Sequence, residues 1–458
     1  RFFVGKALQN GRYWCILGNR NCTAGGFAGD LDNGRDRMDL RRFGKSLASR
    51  CKPLFRLLYG VRTLQQRMLM WVNCRRHPID PHLVVFDAFQ YRHYSDSPKA
   101  LYLALMQEEP YAAFHSVWVL RNPDALADKP DLPRTRIVRY DTPDYRRAMA
   151  SARYIVTNSM MPPFWKIRRG QTLIQTWHGT PLKRLGCDIA TDCNKFDTVQ
   201  EMHHRYRTQA RQFSYLLSPS AFCSEKLASA FDLRALHKEK ILVEEGYPRN
   251  DRLYTWTPEQ AQAIRQRLGI PADKRVVLYA PTFRDNQQQG QEYVYTPQVD
   301  FEQLVEAFGD EVVWLFRAHY FVSSRFDFDR FSGRVLDVSG VEDINDLYII
   351  SDLLMTDYSS VFFDYANLRR PMLFYMYDRE EYQHQLRDFY LDLDELPGPI
   401  VQTQQELVPT LQGLLQSFTP DERYTAFCDR FTYRDDGGAS ARVWAEVFRR
   451  EQAKRKAL

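Results

Sequence analysis

The chain has 458 residues, 44% of them hydrophobic and 14% aromatic, with a formal net charge of +6. That length suits two to four domains, or two large α/β domains, and the composition supports substantial cores and does not read as disordered. No apolar run approaches the roughly 18 residues that a bilayer-spanning helix needs. No signal peptide is visible, so the catalytic part is expected in the cytosol.

In chain order, residues 1–40 are rich in Gly and Asn and lack periodicity. The chain opens on Arg1 rather than Met, and this stretch is expected to be the tail of an upstream domain. From Arg41 to Arg76 lie ten basic residues and no acid; without them the chain holds 53 basic against 57 acidic residues, a net charge of −4. Leu54, Leu57, Leu58, Val61, Leu64, Met68, Trp71 and Val72 recur there at spacings of three and four, the mark of an amphipathic helix. Pro53 suits its first turn. A basic amphipathic helix with Trp and Leu on one face suits an anionic membrane surface, where each Lys or Arg contributes about 1 kcal/mol. A helix packed on its own domain, or a nucleic-acid-binding arm, would show the same pattern. The membrane is the expected partner, with no nucleic acid.

From about residue 80 strands and helices alternate. His82–Phe86, Ser116–Leu120, Arg153–Asn158 and Thr172–Gln175 read as strands, Ser97–Gln107 and Thr142–Ser151 as helices. The pattern restarts after about residue 235, with strands at Lys240–Glu244, Arg275–Tyr279, Val312–Phe316, Leu353–Met355 and Met372–Tyr375. Helices are expected at Pro258–Leu268, capped by Thr257, and at Ile344–Ile350 and Val361–Asn367. A last helix, Ala439–Lys454, is long enough to cross back to the first half. Such alternation predicts parallel sheets covered by helices on both faces. The expected division is a docking segment over 1–78, an acceptor domain over 79–235 and a donor domain over 236–458.

Ligands of open α/β sheets bind beyond the carboxyl ends of the strands. Three strand ends here are rich in polar groups: Ala280–Asp285, Arg317–Tyr320 and Thr356–Ser360. One crevice could collect Arg284, Arg317, His319, Ser359 and Ser360. Arginine forks and a helix N-terminus suit a diphosphate. Taken alone, the serine pair reads as a plain helix cap and Arg317 as a surface ion pair; their convergence favours an anion site. In the first half, His178 sits where a strand stops, between Trp177 and Gly179. A histidine there titrates near neutral pH and can take a proton from a hydroxyl. The alternative is a histidine bonded within its own loop. No cofactor and no metal is called for. The eight cysteines are scattered and expected reduced. Cys187, Cys193, His203 and His204 fit no common zinc spacing, and the Asp-x-Asp pairs Asp30/Asp32, Asp327/Asp329 and Asp392/Asp394 follow no convincing buried strand.

The segment Gln175–Gly186, reading QTWHGTPLKRLG, resembles the CDP-glycerol glycerophosphotransferase family of teichoic-acid and capsule polymerases. So do GYPRND at Gly246–Asp251, YAPTFRD at Tyr279–Asp285, RAH at Arg317–His319, the run Asp343–Tyr375 around TDYSS, and DGGAS at Asp436–Ser440. These matches run in order over residues about 80–445. The resemblance implies a GT-B-like fold, two Rossmann-like domains facing a cleft. It implies attack by a polymer-end hydroxyl on the β-phosphorus of CDP-glycerol or a related CDP-alditol, at the cytoplasmic face of the membrane, with a lipid-linked acceptor. Under it His178 is the general base, and His319 with Arg284, Arg317, Asp357, Ser359 and Ser360 holds the donor diphosphate. Asp364 would reach a ribose hydroxyl; Trp177, Gly179, Lys183 and Asp96 would line the acceptor side. The alternatives are a GT-B glycosyltransferase using a sugar nucleotide, and a non-catalytic, membrane-docked carbohydrate-binding partner.

Overall fold

The computed structural model describes residues 52–107, 109–126, 132–191, 198–282, 298–318, 326–379 and 389–456, with short backbone segments at 288–289, 292–295 and 323–324. The first half is a sheet of seven strands: β1 (Asp80–Asp87), β2 (His115–Leu120), β3 (Thr135–Arg139), β4 (Ala152–Thr157), β5 (Thr172–Gln175), β6 (Tyr215–Ser218) and β7 (Leu242–Glu244). They lie in the order β3-β2-β1-β4-β5-β6-β7, every pair parallel. Among the described residues the main sheet of the second half has six: β8 (Arg275–Ala280), β9 (Val312–Phe316), β10 (Val335–Asp337), β11 (Leu353–Thr356), β12 (Met372–Tyr375) and β13 (Ile400–Val401). Their order, β10-β9-β8-β11-β12-β13, repeats the pattern, again all parallel.

Strands buried on both faces should read as continuous apolar runs, and these do. Leu83 and Val85 of β1 enter the core on one face, Val84 and Phe86 the core on the other. Val276 and Leu278 of β8 are likewise separated from Val277 and Tyr279. Lys240–Glu244, expected to open the second half, instead contributes β7 beside β6, so the crossing to the second half follows residue 244. In each half the strand order reverses at the first strand, between β1 and β4 and between β8 and β11. A crevice opens at such a switch point, and the two crevices face one another in a GT-B-like arrangement.

The helices that matter most are α1 (Lys52–Arg76), α2 (Asp96–Gln107), α3 (Pro143–Ser151), α4 (Ile344–Ile350), α5 (Val361–Tyr365) and α6 (Ala439–Lys456). Thr142 caps α3 through the Tyr145 N–H, and Thr257 opens the expected helix at Pro258 with a capping box to Gln260. The periodicity of α1 is as expected, but its polar side faces inward. Arg62 and Gln66 donate to the two carboxylate oxygens of Asp141 at 2.9 and 3.0 Å, and Met70 enters the core. On the opposite side Leu57 (63% exposed), Leu64 (60%), Met68 (63%) and Trp71 (57%) stand in solvent.

The chain crosses between the halves twice, and the crossings bind one another. Asp251 accepts the N–H groups of Ala439 and Ser440, both at 2.8 Å, which caps α6. Asp435 accepts from the Tyr247 N–H at 2.8 Å and the Asn250 amide at 2.7 Å. Helix α6 then returns to the first sheet. Val443, Trp444 and Val447 complete that core, the Trp444 indole N–H bonds the Leu101 carbonyl at 2.9 Å, and Glu451 accepts from Arg153 and Tyr215. Trp444→Ala should therefore destabilise the first half by about 3–5 kcal/mol, the range for truncating a buried aromatic. Chemical denaturation followed by hydrogen exchange of β1 and β4 measures this; an unchanged midpoint would mean that α6 is dispensable there.

Candidate active site

β5 stops at Gln175, whose amide ties the turn beyond it to the loop after β4. Its Oε1 accepts the Trp177 N–H at 2.9 Å and its Nε2 donates to the Ser159 carbonyl at 2.9 Å. Trp177 adopts a left-handed backbone (φ 55°), its ring buried and stacked on the His178 imidazole at 4.4 Å. His178 Nδ1 lies 2.8 Å from the Asn158 carbonyl. A carbonyl only accepts, so Nδ1 carries the proton and the Nε2 lone pair is left for another partner. His178 is exposed to solvent, although the protein groups around it are dense enough to desolvate the imidazole. That crowding, aided by the Arg249 charge, pushes the imidazole pKa below its ordinary value, against the Asn158 carbonyl and Asp96. His178 is accordingly neutral at pH 7 and able to accept a proton.

Gly179 (φ 153°) lies where the halves touch. A Cβ there would meet Ser360 Oγ at 3.4 Å and Arg249 Nη2 at 3.5 Å. The His178 loop and the TDYSS turn, far apart in sequence, are thus neighbours. Ser359 and Ser360 are half-buried at the start of α5, and the Ser360 side chain makes no capping bond. Asp357 is buried, and its Oδ1 accepts the Thr282 N–H at 2.7 Å, which ties the end of β11 to the end of β8.

Other expected residues stand differently. Arg317 turns its Nη1 to the carbonyls of Val338 (3.3 Å) and Val341 (2.7 Å), and so braces the loop after β10. Lys183 forms a backbone bridge with Phe389 of the second half. Asp96 and Asp364 converge on Arg249, a buried residue of the crossing segment. Arg249 Nη1 donates to Asp96 Oδ2 and to the His178 carbonyl, each at 2.9 Å, and Nη2 donates to Asp364 Oδ2 at 2.7 Å. Burial raises the Asp364 pKa against the pull of Arg249, and pushes neighbouring Asp435 up to about 7. Arg249 and Asn158 were not picked out by sequence reasoning. GYPRND marked the segment without a role, and nothing around Asn158 signalled that its carbonyl would set a tautomer. Arg284 and His319 lie outside the described residues. Among the described residues no cluster of His, Cys, Asp and Glu is arranged to hold a metal ion.

Comparison with known proteins places these features in a family. The sequence model of CDP-glycerol:poly(glycerophosphate) glycerophosphotransferase matches residues 69–449. The teichoic acid poly(glycerol phosphate) polymerase of Bacillus subtilis strain 168 is 36% identical over 415 residues, 89% of this chain and 54% of that protein. The chain thus spans about half the length of that relative. The teichoic acid glycerol-phosphate transferase of Staphylococcus aureus is 37% identical over 376 residues, 80% of this chain and 93% of that protein. A solved structure of the wall teichoic acid polymerase TagF superposes with a TM-score of 0.76 at 32% identity, covering 91% of this chain and 99% of that one. With the family matched across both halves and the loops of both crevices, the chain belongs to the CDP-glycerol:poly(glycerophosphate) glycerophosphotransferases.

Proposed function

We propose that this protein transfers glycerol phosphate, or a related polyol phosphate, from CDP-glycerol to the hydroxyl end of a teichoic-acid-type polymer at the cytoplasmic face of the membrane. The observation that carries the reading is the His178 imidazole: neutral, with Nδ1 committed to Asn158, beside the serines of the opposite half. Nε2 takes the proton of the attacking hydroxyl. The hydroxyl oxygen bonds to the β-phosphorus, the bond from that phosphorus to the bridging oxygen breaks, and CMP leaves with the electron pair. Positioning and charge neutralisation dominate such transfers. In this proposal Ser359, Ser360, Arg284 and His319 hold the diphosphate, while Trp177, Gly179 and Lys183 border the acceptor path. The first half is the acceptor side and the second the donor side.

CMP release from a panel of CDP-alditols with a lipid-linked acceptor tests the reaction. Turnover of a sugar nucleotide, with no CMP from any CDP-alditol, would replace it with glycosyl transfer. His178→Ala should lower kcat by about 10²–10⁴-fold, the usual cost of losing a general base, with donor affinity kept. Protonation removes the base, so activity should fall as pH drops through the His178 pKa. The acid limb should therefore lie below the ordinary imidazole value. A limb at or above that value would disagree. Arg284→Ala and His319→Ala should weaken CDP-glycerol binding in calorimetry; unchanged affinity in both would move the donor site elsewhere.

The outward apolar side of α1 supports docking to anionic lipid. The helix body is held by polar bonds to Asp141, so folding does not account for Leu57, Leu64, Met68 and Trp71, and the Arg75 guanidinium lies over the Trp71 ring at 4.1 Å. The protein should co-sediment with anionic vesicles more than with neutral ones. The preference should shrink as salt shortens the Debye length from about 10 Å at 0.1 M to about 3 Å at 1 M. Equal partitioning on both lipids at low salt is the contrary result.

A further inference from the structure

We propose that Arg249 is the positioning residue that sets the His178 loop against the serine pair of the opposite half. Asp96 and Asp364 are then its paired anions rather than ligands of acceptor or donor. The inference rests on the reading of His178 as the base.

The guanidinium reaches three segments at once: the start of α2 through Asp96, the loop after β5 through the His178 carbonyl, and α5 through Asp364. Only a planar fork can serve all three; a lysine ammonium would be a single point on a flexible stem. Each oxygen of both acids has a donor: the second oxygen of Asp96 accepts the Ser97 N–H at 2.6 Å, and that of Asp364 accepts the Asn250 amide at 3.2 Å. Both side chains are nearly buried (7% and 8% exposed), which disfavours contact with a substrate hydroxyl. The Arg249 backbone is held from both halves too: its N–H donates to Ser97 Oγ at 3.4 Å and its carbonyl accepts from Asn345 of α4 at 2.6 Å. Gly179 fits between Nη2 and Ser360 Oγ, so a shift of the guanidinium moves the backbone that carries His178 relative to the serines.

The same cluster sets the field at the imidazole. The charged groups facing His178 are Asp96 of α2 and Arg249 of the crossing segment, with Asp364 of α5 behind Arg249. On the other side stand the Asn158 carbonyl and the Phe89 ring, with His93 beyond that ring. Arg249 disfavours the imidazolium and Asp96 favours it.

Arg249→Lys keeps the charge and loses the fork. Its kcat should fall by about 10²-fold, the scale of a 1 Å misplacement, while thermal unfolding and the donor KM stay close to the parent. Parental kcat in this variant overturns the proposal. NMR of imidazole-labelled protein supplies a readout that needs no substrate. In Asp96→Asn the His178 pKa should fall; in Arg249→Gln it should rise. Removing the guanidinium alone strands two buried carboxylates. Should Arg249→Gln fail to fold, the double variant Arg249→Gln/Asp364→Asn carries the measurement, with the same direction expected. A His178 titration unmoved in both the Asp96 and the Arg249 variants overturns the proposal. Absence of CMP release from the parent protein would instead remove the proposed reaction, and the NMR result would stand by itself.

Discussion

A guanidinium buried between two carboxylates is a costly object, because three charges leave water together. It persists only where the geometry of the pairing is good. Around Arg249 the two terminal nitrogens of the guanidinium are paired with residues of both halves, while Nε is buried without a partner. Asp364 leads to Asn250, Asn250 to Asp435, and Asp435 to Asn367 and the Tyr247 N–H. One polar chain therefore runs from the start of α2 to Asp435, in the crossing that leads into α6. The relative placement of the two sheets is fixed along this seam, and the loops at the switch points inherit their alignment from it.

Alignment at the seam is matched by rigidity on the floor of the first crevice. Phe89, Gln90 and Tyr91 are consecutively left-handed (φ 49°, 58° and 68°), and Trp177 shares that conformation. Such backbone costs roughly 1–2 kcal/mol per non-glycine residue and survives where the surroundings over-determine it. Here Asn158 Oδ1 and Ser159 Oγ take the N–H groups of Phe89 and Gln90. Arg121 bonds the Gln90 and Tyr91 carbonyls, and Tyr91 stacks on Tyr140 at 4.3 Å. The imidazole thus stands on a surface already bent into shape.

Much of this was legible in the sequence where one local rule decides. β5, β9, α4 and β12 fall on the residues expected from short apolar runs, and Thr257 caps because a threonine before Pro258 has little else to do. β3 and β6 were missed. Thr135–Arg139 is an edge strand with arginine on either side of Ile137, and Tyr215–Ser218 is too short to show a period. β7, three residues long, has no local sign of which sheet it joins. For α1 the stripe was plain but its sense was not, since periodicity is the same whichever side faces in; Asp141, distant in sequence, decides it. The serine pair and His178 were singled out because ligands of open α/β sheets bind beyond the strand ends. Arg249 escaped for the opposite reason: its partners lie at residues 96, 178 and 364, and no local pattern links them.

The return of α6 to the first sheet bears on how the protein is made. Trp444 and Val447 fill a place between α2 and β4 from far outside residues 80–244. A chain emerging from the ribosome shows β1 to β7 long before Trp444, and throughout synthesis of the whole second half that place stays open as an apolar groove. Early collapse of the first half therefore yields an incomplete body, closed only by a helix of high sequence separation. Such late, non-local closure is slow and leaves sticky surface exposed meanwhile. The nascent first half is the stage at which this chain most needs a chaperone's cover.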